Sequence, residues 1–123
     1  TKLTNGVHVH FSILSVPVSD QDRAKDFYER IGFKTLVDQS HENMRWVQLG
    51  LPGERASISL VTWFDDLKPG SLRGLVIGVD DFDAARARIA AAGVSISEPD
   101  PQKWGRFAYF ADPDGNAWMI RGT

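Results

Sequence analysis

Three histidines, two tyrosines, four tryptophans and scattered serines are the side chains through which this 123-residue chain could do chemistry. His8 and His10 are spaced i, i+2, on one face of any strand. Such a pair can hold a metal ion when acids join it, but no acid lies beside it in the sequence, so a structural or surface role fits better. His41 falls in Gln39–Asn43, a turn-like stretch. The absence of cysteine removes disulfides, thiolate metal sites and a cysteine nucleophile. No Ser–His–Asp order and no Gly-rich phosphate loop is present. What is left is surface chemistry. Aromatic faces stack on planar molecules, and an indole N–H or a hydroxyl orients a polar group.

The elements that must position these groups come in two copies. VSDQDRAKDFYERIGF (18–33) and VDDFDAARARIAAAGV (79–94) align at a shift of 61 positions, pairing Val18 with Val79, Asp20 with Asp81, Ala24 with Ala85 and Gly32 with Gly93. Each copy follows one strand-like run and precedes others. The first module reads as strand Val7–Val18, then a helix over Gln21–Ile31 opened by Ser19 and Asp20. Its inward face is Ala24, Phe27, Tyr28 and Ile31. Strands Phe33–Asp38, Met44–Leu49 and Ala56–Trp63 follow, with turns at Asp38–Asn43 and Leu51–Gly53. After the linker Phe64–Ser71, the second module reads as strand Leu72–Val79 and helix Asp81–Ala92, with Phe82, Ala85, Ile89 and Ala92 inward. Then come a short strand Val94–Ser97, a loop Pro99–Lys103, strand Gly105–Ala111, a tight turn Asp112–Gly115 and strand Asn116–Arg121. The expected fold is α+β. It is one domain over residues 1–123, made of two βαβββ modules (about 7–63 and 72–121) whose curved sheets surround a cavity.

Composition narrows the partners. A net charge of −2 gives no electrostatic case for nucleic acid. The 42% apolar content suits a globular class, and no stretch nears the roughly 20 apolar residues of a membrane span. TKLTNGVHVHFS lacks the pattern of a signal peptide, so a cytoplasmic location is expected.

The doubled module, with V-S-D-x-x-x-A-x-x-F-Y-x-x-x-G-F over Val18–Phe33 and Y-F-x-D-P-D-G-N over Tyr109–Asn116, resembles the vicinal oxygen chelate superfamily of glyoxalases, bleomycin-resistance proteins and extradiol dioxygenases. The resemblance covers the whole chain. It implies that metal-dependent members carry one ligand on each of four strands, at positions held here by Ile13, Ser59, Gly74 and Met119. Ile and Gly offer no side-chain donor, and a thioether is a soft ligand. No metal and no other cofactor is therefore expected.

Strand alternation turns those positions into a lining. The implied lining is Phe11, Ile13 and Ser15; Ser57, Ser59 and Val61; Leu72, Gly74 and Val76; and Ala117, Met119 and Arg121. Resemblance to fosfomycin-resistance enzymes adds Tyr109 as a substrate-holding residue, with Phe107 on its face. Trp46 and Trp63 fit a cavity wall, a core or a subunit interface. Trp104 fits a lid or an exposed plug, and Arg121 a ligand contact or a solvated end. Such a lining suits a hydrophobic or aromatic small molecule. The leading reading is metal-independent binding of such a molecule, as in antibiotic or natural-product sequestration, by a homodimer. The alternative is a metal-free isomerase, lyase or transferase on the same scaffold. A third is a metal enzyme using His8, His10 and Glu42 or Glu54. Whether the chain is an enzyme is left open.

Overall fold

Two aspartates start the two helices. Asp20 accepts from the Arg23 N–H at 3.1 Å and Asp81 from the Ala84 N–H at 3.0 Å, so each satisfies a first-turn donor that has no partner within the helix. In the computed structural model, which describes residues 6–123, the elements in chain order are β1 (Ile13–Pro17), α1 (Gln21–Arg30), β2 (Lys34–His41), β3 (Met44–Gly50), β4 (Ser57–Val61), β5 (Leu75–Gly78), α2 (Phe82–Ala91), β6 (Asp100–Gln102), β7 (Gly105–Ala111) and β8 (Ala117–Gly122). Residues 1–5, part of the expected domain, lie outside the described residues.

The strands form two four-stranded sheets with the same plan, β1-β4-β3-β2 and β5-β8-β7-β6. In each sheet the outermost strand of the order, β1 or β5, pairs parallel with its neighbour, and the remaining pairs are antiparallel. The 61-residue repeat is thus realised as a repeated topology, and the fold is α+β. β1 and β5 each have a partner on one side only.

One face of each sheet meets the helices. Val16, Val47, Leu49, Ile58 and Leu60 of the first sheet share a buried cluster with Ala108, Phe110, Trp118 and Ile120 of the second, filled from the helices by Phe27, Tyr28, Phe82 and Ile89. A polar network ties the halves together inside that cluster. The Tyr28 hydroxyl donates to Asp112 Oδ2 at 2.6 Å and accepts from Trp118 Nε1 at 2.9 Å. Asn116 Nδ2 donates to Asp112 Oδ2 and to the Pro17 carbonyl, both at 2.8 Å. Asp112 Oδ1 accepts from the N–H groups of Asp114, Gly115 and Asn116. Burial, then the Asp112 charge, hold the Tyr28 phenol well above its ordinary pKa.

Several elements differ from the sequence reading, β5 among them, which begins at Leu75 rather than Leu72. β1 begins at Ile13 rather than Val7, because its only partner, β4, runs out: the last rung is the Ser57 N–H to the Ser12 carbonyl at 2.9 Å. His8, Val9, His10 and Phe11 are exposed beyond it. Val94–Ser97 is not a strand. Val94 and Ile96 pack on the core, and Ser97 clamps Tyr109, its N–H donating to the Tyr109 carbonyl and its hydroxyl accepting from the Tyr109 N–H, both at 2.9 Å. The expected loop after it contains β6 instead, an edge strand where Pro101 lacks no needed donor. The turn expected at Asp38–Asn43 narrows to Glu42–Asn43, with β2 continuing to His41 and Glu42 at φ 54°. Among the described residues, no helix is long and apolar enough to cross a membrane.

Candidate functional site

The face of each sheet turned away from the shared core carries most of the residues singled out above. On the first sheet Ser15, Ser59 and Gln48 lie opposite one another in a row across β1, β4 and β3, with Ile13 opposite Ser57 in the next row. Trp46 Nε1 donates to Gln48 Oε1 at 3.0 Å. Gln48 Nε2 donates to Ser57 Oγ at 2.8 Å, and Ser57 Oγ donates to the Ser12 carbonyl at 3.3 Å. Trp46 stacks on Trp63 with centroids 5.8 Å apart and planes at 28°. Ser59 is fully buried beside this chain, and among the described residues its hydroxyl has no hydrogen-bond partner.

On the second sheet, Val76, Met119 and Tyr109 form a row across β5, β8 and β7. Gly78, Arg121, Phe107 and Asp100 form the next row, reaching β6. Tyr109 is 41% exposed, and its hydroxyl donates to Asp100 Oδ2 at 2.5 Å. That hydrogen bond first, then burial and the Asp100 charge, raise the Tyr109 phenol above its usual pKa. Arg121 Nη2 donates to the Trp104 carbonyl at 2.5 Å, while the Trp104 indole is 62% exposed.

Between the unpaired edges of β1 and β5 runs an apolar groove of about 720 Å³, lined by Phe11, Ile13, Leu14, Gly74, Val76 and Trp118 among others. Its size falls in the range of small-molecule sites, about 300–1,000 Å³. Phe11 stands 83% exposed at its rim.

The structure therefore divides the expected site into three parts. Phe11, Ile13 and Gly74 meet in the groove. Ser15, Ser59, Trp46 and Trp63 belong to the first sheet's side, and Trp104, Phe107, Tyr109, Met119 and Arg121 to the second's. The two halves join through their helix-side faces, so the outer faces look away from the shared core. Gly74 has φ +76° with nothing within 4 Å of a built Cβ, so it serves the backbone as well as leaving space. Gln48 and Asp100 were missed. Gln48 follows Trp46 by two residues in one strand, which was a legible same-face signal, whereas Asp100 was hidden inside a segment read as loop.

The donor set of a metal site does not fit here. Ile13 faces Ser57, Ser59 offers one hydroxyl, Gly74 has no side chain, and Met119 faces Val76 and Tyr109. His8 and His10 are exposed, as are His41 and Glu42, which sit 3.9 Å apart. Among the described residues, no three His, Cys, Asp or Glu side chains gather as metal ligands would.

The Ser59 hydroxyl has a measurable consequence. A buried hydroxyl without a partner keeps its desolvation cost unrepaid. Ser59→Ala is expected to leave stability unchanged or raise it by up to about 1 kcal/mol, read as the urea midpoint. A loss above that size would mean that the hydroxyl has a partner.

A profile of the Glyoxalase/Bleomycin resistance protein/Dioxygenase superfamily matches residues 8–120. The antibiotic binding protein TnmS3 from Streptomyces sp. CB03234 superposes with a TM-score of 0.88 at 46% identity, over 94% of this chain and 96% of that one. A glyoxalase/bleomycin resistance protein from the same organism superposes at 0.82 with 47% identity, over 91% and 99%. The uncharacterized protein YetH of Bacillus subtilis (strain 168) is 28% identical over 114 residues, 88% of this chain and 93% of YetH.

Proposed function

Because the chain belongs to the Glyoxalase/Bleomycin resistance protein/Dioxygenase superfamily, we propose that it binds a hydrophobic or aromatic small molecule of the antibiotic or natural-product kind and sequesters it without a metal ion. The observation that carries this reading is the residue set at the superfamily's ligand positions. Ile13 and Gly74 border the apolar groove, Met119 lies in the Val76–Tyr109 row and Ser59 is buried in the first sheet, so none of the four offers the donor set of Lewis-acid chemistry, and the groove suits packing against a ligand. The indole pair, Tyr109 and Phe107 add ring surface. The similarity to TnmS3 supports the ligand class.

The working unit of this reading is a homodimer. Among the described residues, β1 and β5 are edge strands with unpaired backbone groups, a liability that proteins cover. Exposed Phe11 and Val76 at the groove would be buried by a second copy. Light scattering at micromolar concentration should give the mass of two chains; the mass of one chain would overturn the assembly.

Native mass spectrometry of the purified protein tests the function. A small aromatic molecule should be retained, released chemically unchanged, and rebound with quenching of tryptophan fluorescence after dialysis against chelator. Binding that requires one divalent ion per chain would overturn the metal-free reading. Release of an altered molecule would favour the enzyme alternative.

A further inference from the structure

The Tyr109–Asp100 pair lies on the outer face of the second sheet and is used by nothing in the core. Asp100 opposes Phe107 across β6 and β7, so its side chain shares a face with Phe107 and Tyr109. A phenol has one proton to donate, and Tyr109 spends it on Asp100 Oδ2. The other carboxylate oxygen, Oδ1, accepts from Gln102 Nε2 at 3.0 Å. Among the described residues, no Lys, Arg or His side chain forms an ion pair with Asp100. Toward a ligand, then, this pair presents a half-exposed ring, the lone pairs of the Tyr109 oxygen and the spare lone pairs of a carboxylate. It has no proton to give. The rest of the Tyr109 row, Met119 and Val76, is apolar.

We propose that Tyr109 and Asp100 form an acceptor-only wall that selects aromatic ligands carrying a ring hydroxyl or N–H over the same ring without one. The proposal rests on the small-molecule reading above and specifies its ligand. Asp100 acts as the positioning residue: by accepting the hydrogen bond of the Tyr109 hydroxyl it keeps that O–H from serving an ether or carbonyl oxygen. A tyrosine phenol keeps its proton at neutral pH without any shift.

Amide NMR titration of the full chain with a naphthol and with its methyl ether tests this. The naphthol should bind about tenfold tighter, the equivalent of one hydrogen bond to a charged acceptor, with shifts centred on Ala108–Phe110 and Met119. In Asp100→Ala the preference should fall to within about twofold, because the freed Tyr109 hydroxyl can then donate to the ether; in Asp100→Asn it should fall similarly, because the amide brings N–H donors that serve the ether and loses the carboxylate charge. Thermal melts of both variants should stay near the wild type, since Asp100 sits in an edge hairpin. Equal wild-type affinity for the two probes, or a preference that survives both substitutions, overturns the acceptor wall while leaving the binding reading intact. If neither probe moves these signals, the binding reading of this face fails and the proposal falls with it.

Discussion

Asp112→Ala is expected to cost the fold about 4–5 kcal/mol, the size of loss that breaking a buried charged network brings. The carboxylate is 5% exposed and serves five donors: the Tyr28 hydroxyl, the Asn116 amide and three backbone N–H groups of its own turn. Alanine leaves four of them short of a partner, the Gly115 N–H keeping the backbone carbonyl of residue 112 at 3.0 Å, at about 1–3 kcal/mol for each group that stays buried. Tyr28→Phe removes one donor and keeps the ring against Phe33 and Trp118, so its loss should be smaller, about 1–2 kcal/mol. Asn116→Ala should fall between the two. Urea denaturation read at constant m-value measures all three. An Asp112→Ala loss below about 1 kcal/mol would show that water replaces the carboxylate and that the network is ornamental.

Ligand affinity should collapse in Val76→Trp and weaken in Tyr109→Ala, with the fold intact in both. Val76 is 51% exposed, lines the groove and stands in one row with Met119 and Tyr109. An indole there fills the space a ligand needs, and binding should fall by more than about a hundredfold, some 2.7 kcal/mol. Tyr109→Ala removes a packed ring and a polar contact, for about 1–3 kcal/mol. Gly74 is the poorer position for such a block. Its φ of +76° strains any L side chain, so a bulky variant would mix lost binding with lost stability. Fluorescence titration with the co-purified molecule gives the affinities, and thermal melts check the fold. Wild-type affinity in both variants would place the ligand elsewhere.

Helix limits were legible from local chemistry. Asp20 caps where its side chain predicts, Asp81 caps a helix that starts one residue after the expected Asp81, and Gly32 and Gly93 follow the helix ends. The turn Asp112–Gly115 was legible as a turn, but not as the hub of a network, because its partners Tyr28 and Pro17 lie far off in sequence. The repeat announced two modules. It did not say which faces of the two sheets would meet, and that choice divided the candidate residues among a groove and two outer faces. Register is the least local of these properties. A strand alternates whatever its neighbour, so Ser59 reads as facing Gly74's side of a cavity until β1 and Gln48 are seen beside it. β6 failed for a related reason. Three residues with a central proline carry no strand signal of their own and become a strand only because Gly105–Phe107 offers an edge.

The bond from Tyr28 to Asp112 spans 84 residues, and that from Asn116 to Pro17 spans 99. A chain emerging from the ribosome makes its first module whole while the acceptor for Tyr28 is still unsynthesised. Until residues 112–116 appear, that phenol lacks its carboxylate acceptor and the Pro17 carbonyl has the Gly70 N–H, at 3.3 Å, but not the Asn116 amide. The order of synthesis therefore works against the first half settling early, and closure waits on one late turn, in keeping with the slow kinetics of distant pairings. The two sheets share one plan, and these long-range bonds tie them into one core.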